Sequence, residues 1–378
     1  MIINVIRNGE FIMFARKPFV LTAVLILIVS IMSACNSGGN DEKTGSPPNS
    51  ETSSPSDSAK QSGEVNIYSA RHYDADAQLF EQFTEKTGIK VNIVDGSAAE
   101  LIERLKREGA SSPADLFITV DGGILDAAKK ADVLQPVQSE VIDGQVPAEF
   151  RDPENYWIGL STRARVIAYA KDRITPEELS TYEELASEKW KGKLLVRSST
   201  NMYNQSLLAS LIEINGEADA EKWAAGIAAN LARDPEGGDR DQAKAVVAGV
   251  GDVAIMNTYY VGQLSASKDS EEVKVADSIG IFFPNQETTG THLNISGAGL
   301  TKHSKNKDNA IRLIEYLTSV ESQEFISEVN FEYPVNSQAK WAELLESWGK
   351  FKHQQIDFAA YGENNPKAVE IANKVGWK

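Results

Sequence analysis

The chain has 378 residues, with 38 Lys and Arg against 54 Asp and Glu, a formal net charge of −16. Acidity on that scale argues against nucleic acid and anionic lipid surfaces as partners and accords with cationic ligands. A single cysteine permits no internal disulfide, so the compartment has to be read from the leader.

Residues 1–35 read as an export signal. Arg7, Arg16 and Lys17 precede an apolar stretch at 19–32, shorter than the roughly 20 residues of a comfortable membrane span. The stretch ends in MSAC at 32–35, small residues before the lone cysteine. That pattern resembles a lipoprotein processing site, with Cys35 as the lipidated N-terminus and a lipid anchor in the membrane. Met32 departs from the leucine usual there, and Met13 is an alternative start to Met1. Residues 36–63, rich in Ser, Pro, Gly and Asn, cannot bury enough surface to fold. They read as a disordered tether with a reach on the order of 30 Å. The leader carries a net +2, which leaves the rest of the chain at −18.

The body, 64–378, is long enough for two lobes. Its first third alternates strands at 64–69, 89–94 and 114–120 with helices at 75–87, 98–108 and 124–131. That rhythm predicts an α/β lobe with a parallel sheet covered on both faces. The long β-prone run 156–171 suits a crossing between lobes. A second α/β lobe follows to about residue 290, with short strands at 193–196 and 252–257. Residues 292–300 form a plausible return strand, helices follow at 309–317 and 322–329, and a helical tail closes the chain. The expected organisation is 64–162 plus 291–340 in one lobe and 163–290 plus 341–378 in the other. In open α/β sheets ligands bind beyond the carboxyl ends of the strands, which here means the cleft between lobes.

Three tyrosine-bearing segments follow strands and would open on that cleft. They are YSARHYD at 68–74, RSSTNMYNQ at 197–205 and NTYY at 257–260. Neighbouring side chains on a strand point to opposite faces, so Tyr259 and Tyr260 can share a target only where strand gives way to helix. Asn257 and Thr258 suit the helix N-cap there, their side-chain oxygens accepting from free N–H groups. Converging phenols make a hard oxygen donor set that favours a hard trivalent cation such as Fe3+. Tyr68, Tyr169 and Tyr182 fall in strand or helix patterns and read as packing. His292, His303 and His353 read as structural, and Asp115 and Asp121 as turn or cap residues.

Over 64–378 the chain resembles the ferric-iron-binding, type II periplasmic solute-binding proteins of ABC importers. The resemblance rests on IYSARHY at 67–73, WKGK at 190–193, NTYY at 257–260 and YPV at 333–335. It implies a two-lobe type II periplasmic-binding-protein fold with a hinged cleft. It also implies iron ligands Tyr73, Tyr203, Tyr259 and Tyr260, with His72 as a fifth. A family branch that uses a carboxylate after the third strand is not matched, since Val120 stands there. Four phenolates on Fe3+ leave a net −1; Arg163 is the implied counter-charge, with Arg71 and then Arg165 behind it. The implied partner is an ABC permease with its cytoplasmic ATPase, and the body is expected to be monomeric.

Two other readings compete. A solute-binding protein for an organic or phosphorylated anion would use Arg71, Arg163, Ser198, Ser199 and Asn201 as donors. An enzyme would need an activated nucleophile, and neither Gly-x-Ser-x-Gly nor His-Glu-x-x-His occurs.

Overall fold

A computed structural model of the protein describes residues 63–378; the signal, Cys35 and almost all of the tether lie outside the described residues. Among the described residues nine strands run in chain order: β1 (Gly63–Ser69), β2 (Ile89–Asp95), β3 (Leu116–Thr119), β4 (Leu134–Gln135), β5 (Ile158–Ala170), β6 (Leu194–Leu195), β7 (Val253–Asn257), β8 (Ile279–Phe282) and β9 (Leu293–Thr301). The helices between β1, β2 and β3 start and stop where local chemistry requires. The helix Asp74–Thr87 ends at Gly88 with φ 78°, a left-handed cap natural to glycine. The helix Ala98–Glu108 opens with a Ser97–Glu100 capping box.

β5 joins the lobes. All thirteen of its residues are buried, because its two halves belong to different sheets. From Ile158 to Ala164 it pairs with β9; from Arg165 onward it pairs with β7, and from Ile167 to Ala170 also with β8. The strand order is β2-β1-β3-β9-β5-β7-β6, with β4 on β9 and β8 on β5.

The strands of the first third are parallel, as expected, but the sheet they join is mixed. β1 pairs parallel with β2 and β3, and β6 with β7. β9, however, runs antiparallel to both β3 and β5. The reason is topological: β5 leaves the first lobe and β9 re-enters it, so the two lie side by side in opposite directions.

One hydrophobic core gathers Val65, Ile67, Leu79, Phe83, Leu116, Ile158 and Ile295. A second gathers Trp190, Leu207, Trp223, Ile227 and Ile255. The tail, expected wholly in the second lobe, divides between them. Ala342, Leu345, Phe358 and Tyr361 pack in the first core, and Ala368, Ile371, Ala372 and Trp377 in the second. The last helix, Ala359–Val375, therefore touches both lobes. Its Gly362 lies so close to Gly123 that a Cβ on Gly123 would sit 2.6 Å from the Gly362 amide nitrogen.

Candidate metal centre

Each tyrosine of interest sits where a helix begins. Tyr73 occupies the N-cap position of the helix Asp74–Thr87, in extended conformation. Tyr203 is the second residue of the helix Met202–Asn215, and its amide donates to the Asn201 side chain at 3.0 Å. Tyr259 and Tyr260 are the second and third residues of the helix Thr258–Ser265. With strand alternation broken, their rings lie side by side, centroids 4.1 Å apart and tilted by 31°.

Tyr259 is the hub of the cluster and is 1% exposed. Its hydroxyl is 3.2 Å from that of Tyr203, and its ring meets the Tyr73 ring edge-on at 5.8 Å. Tyr73 belongs to the first lobe and the other three to the second, so the cluster closes the cleft from both sides.

The capping expected of Asn257 and Thr258 does not occur. Asn257 makes no side-chain cap; its Oδ1 accepts from Arg165 at 3.0 Å instead. Thr258 Oγ1 accepts from the Ala164 amide at 3.3 Å. Both side chains are buried against β5, where a guanidinium and a ladder-end amide outcompete the helix terminus.

Four guanidinium groups surround the phenols. Arg71 lies 4.5 Å over the Tyr73 ring. Arg163, Arg197 and Arg165 lie 5.4, 5.5 and 5.9 Å from the Tyr203 ring centre. Arg71 pairs with Asp76 and Glu332, both at 2.8 Å. Arg165 and Arg197 share the fully buried Asp239, at 3.3 and 3.7 Å. Arg163 differs: it donates to the Val120 carbonyl and to Ser296 Oγ, and none of the described carboxylates lies within ion-pair distance. Its charge acts on the Tyr203, Tyr73 and Tyr259 phenols, and Glu332 acts on it as well.

Burial pushes the phenols of Tyr73 and Tyr259 well above the ordinary tyrosine range, and neighbouring tyrosines push them further. Glu332 adds to the rise at Tyr73, against Arg71 and Arg163. Tyr260 is pushed up to about 12, first by burial and then by Tyr203 and Asp239. These three phenols hold their protons at neutral pH. A bound cation is what would remove them.

The other candidates are placed differently. His72 sits beside Tyr73 with its ring 55% exposed and Nδ1 3.2 Å from Asp95 at the end of β2. The hydroxyls proposed as anion donors are engaged elsewhere: Ser199 donates to the Trp377 carbonyl at 2.6 Å, and Ser198 contacts Thr200. Asn201 is spent as the helix cap. Asp121 caps the helix Gly122–Lys130, and Asp115 accepts from the turn 304–306. His292 is buried, bonded to Gln354, and held down to about pKa 3 by burial. Among the described residues no cluster of three or more His, Cys, Asp or Glu is placed to hold a metal.

Sequence reading missed Asp76, Glu332 and Asp239. Asp76 stands three residues after Tyr73, yet nothing separates it from an ordinary first-turn acid. Glu332 and Asp239 reach the site from distant segments and carry no local signature.

The family profile described as bacterial extracellular solute-binding protein matches residues 111–360. The chain belongs to this family. It is 46% identical over 315 residues to Iron uptake protein A1 of Synechocystis sp., covering 83% of this chain and 88% of that one. Among solved structures of the family type it is similar to a Trichodesmium protein (IdiA, FutA) in complex with iron and citrate. That match has 51% identity and a TM-score of 0.80, over 83% of this chain and all of the other. The ferric binding protein from Campylobacter jejuni matches at 45% identity and TM-score 0.79, with the same coverage.

Proposed function

We propose that this solute-binding protein captures Fe3+ between its lobes through the phenolates of Tyr73, Tyr203, Tyr259 and Tyr260, and hands it to an ABC permease. The permease's cytoplasmic ATPase supplies the energy. The observation that carries the reading is the Tyr203–Tyr259 hydroxyl contact at 3.2 Å, with Tyr73 and Tyr260 packed on the same Tyr259 ring. Two phenol oxygens are already within reach of one small ion, and two more tyrosine rings pack against Tyr259. Relatives named for iron uptake and ferric binding support the choice of cargo.

Four ionisable oxygen donors suit a hard trivalent ion. Four phenolates on Fe3+ leave a net −1, and Arg163 is the unpaired cation that offsets it. His72, at the edge of the cluster, serves as a fifth ligand by turning from Asp95. Export and lipidation at Cys35, with residues 36–63 as a tether, would let the monomeric body reach the permease. The protein is a binding component and not an enzyme.

Ferric titration of Tyr73→Phe, Tyr203→Phe, Tyr259→Phe and Tyr260→Phe variants tests this. Phenylalanine keeps the ring and deletes only the oxygen. Each variant should lose more than the about 10–100-fold typical of a residue that merely orients a ligand, with an unchanged melting temperature. Full-strength binding by all four variants would overturn the assignment.

A further inference from the structure

The helix Val320–Asn330 ends at Phe331, a non-glycine residue in the left-handed region with φ 57°. Such a conformation is uncommon for a bulky residue and worth explaining. It turns three consecutive side chains to three different tasks. Asn330 Oδ1 accepts from Gln263 Nε2 of the second lobe at 2.8 Å. Phe331 lies against Gly262, so close that a Cβ there would meet its Cγ at 2.2 Å. Glu332, fully buried, accepts from Asn330 Nδ2 at 2.8 Å and pairs with Arg71 at 2.8 Å.

A continuous polar chain follows from these distances. Arg240 donates to Gln263 at 2.7 Å, Gln263 donates to Asn330, Asn330 donates to Glu332, and Glu332 holds Arg71. Arg71 then lies over the Tyr73 ring, fixed also by Asp76, Ser161 and Ser296. Gln263 stands on the same short helix as Tyr259 and Tyr260. The chain thus joins the helix bearing two tyrosines in the second lobe to the tyrosine of the first.

A carboxylate is a costly choice at Glu332. It is wholly inside, opposes the ionisation of Tyr73, and leaves Oε1 without a hydrogen-bond partner. What the charge does is draw Arg71 to one fixed position beside the phenol.

We propose that Glu332 is a positioning residue for the cation site, through which the Tyr259–Tyr260 helix sets Arg71 and, through Arg71, the Tyr73 ring. The inference rests on the ferric reading above. It assigns Gln263 and Asn330 as an inter-lobe link that keeps the first-lobe tyrosine in register with the second-lobe tyrosines.

The test uses iron-loaded protein and follows the visible phenolate-to-iron absorption while excess EDTA removes the metal. Gln263→Ala, at a half-exposed position, deletes the link without stranding a buried charge. It should release iron about fivefold faster, the worth of one hydrogen bond, with stoichiometry and absorption maximum unchanged. Glu332→Gln should shift the absorption maximum, because the charge facing the phenolate is gone, a change that a merely structural role would not produce. The double variant should release iron no faster than the quicker single variant if the two act in one chain. Wild-type release from Gln263→Ala, or an unmoved maximum in Glu332→Gln, overturns the inference. Wild-type protein with no such absorption would instead defeat the ferric reading itself.

Discussion

A phenol held in a dry pocket is a poor ligand until something replaces its proton. Tyr73, Tyr259 and Tyr260 are all shifted in that direction, by burial first and by one another second. Their raised pKa values mean that capture must expel protons, so apparent ferric affinity should rise with pH, by about tenfold per unit for each proton lost. Proton release measured in weakly buffered solution checks this: wild type should release one more proton per iron than Tyr260→Phe. Equal release would remove Tyr260 from the ligand set. The same shift has a consequence for the metal-free protein. A folded pKa of about 12 at Tyr260 against an ordinary value of 10 favours the folded state fully below pH 10, and that contribution is lost as pH climbs toward 12.

At the level of elements, the site is a set of strand-to-helix junctions, and their rigidity comes from what packs behind them. Asp239 accepts from the Asn257 amide at 2.8 Å while holding Arg165, which in turn donates to Asn204 at 2.6 Å. One buried carboxylate thereby fixes the junctions carrying Tyr203 and Tyr259. Gly262 is the tightest point behind the second. Replacing glycine by alanine inside a helix ordinarily gains about 1 kcal/mol, but here the new methyl would overlap the Phe331 ring, and overpacking costs about 1–3 kcal/mol. Gly262→Ala should therefore lower the unfolding midpoint, and adding Phe331→Ala should recover part of the loss; a higher midpoint in the single variant would refute the contact. The junctions themselves were legible in the sequence. NTYY after an apolar strand, and Tyr203 shortly after the strand at 193–196, announce themselves locally. The true use of Asn257 was not legible, because its competitor, Arg165, lies on another strand. Glu332 and Asp239 were invisible for the same reason: a buried counter-ion is defined by what it faces.

Over the whole molecule, β5 belongs to both sheets and changes partners between Ala164 and Arg165. The change falls beside Arg163, so the guanidinium proposed to offset the phenolates sits on the shared strand itself. Two hydrogen bonds tie the lobes near the tyrosines: Ser206 Oγ donates to Asp121 at 2.5 Å, and Gln263 donates to Asn330 at 2.8 Å. Ligands divided between lobes touch a metal most completely when the lobes are together, which is how binding can favour the closed form. The two-lobe α/β plan followed from element order and from the length of the 156–171 run. Strand direction did not, since β9 finds its place only after a whole lobe has been built. Nor did the division of the tail, which depends on which core is left open to Phe358 and Trp377. The most direct measurement of the central claim is resonance Raman spectroscopy of the iron-loaded protein, excited in its visible absorption. Tyrosinate ring modes should be enhanced in wild type and weakened in a Tyr203→Phe, Tyr259→Phe double variant, in which only Tyr73 and Tyr260 remain. Stoichiometric ferric binding with no tyrosinate modes would contradict the account.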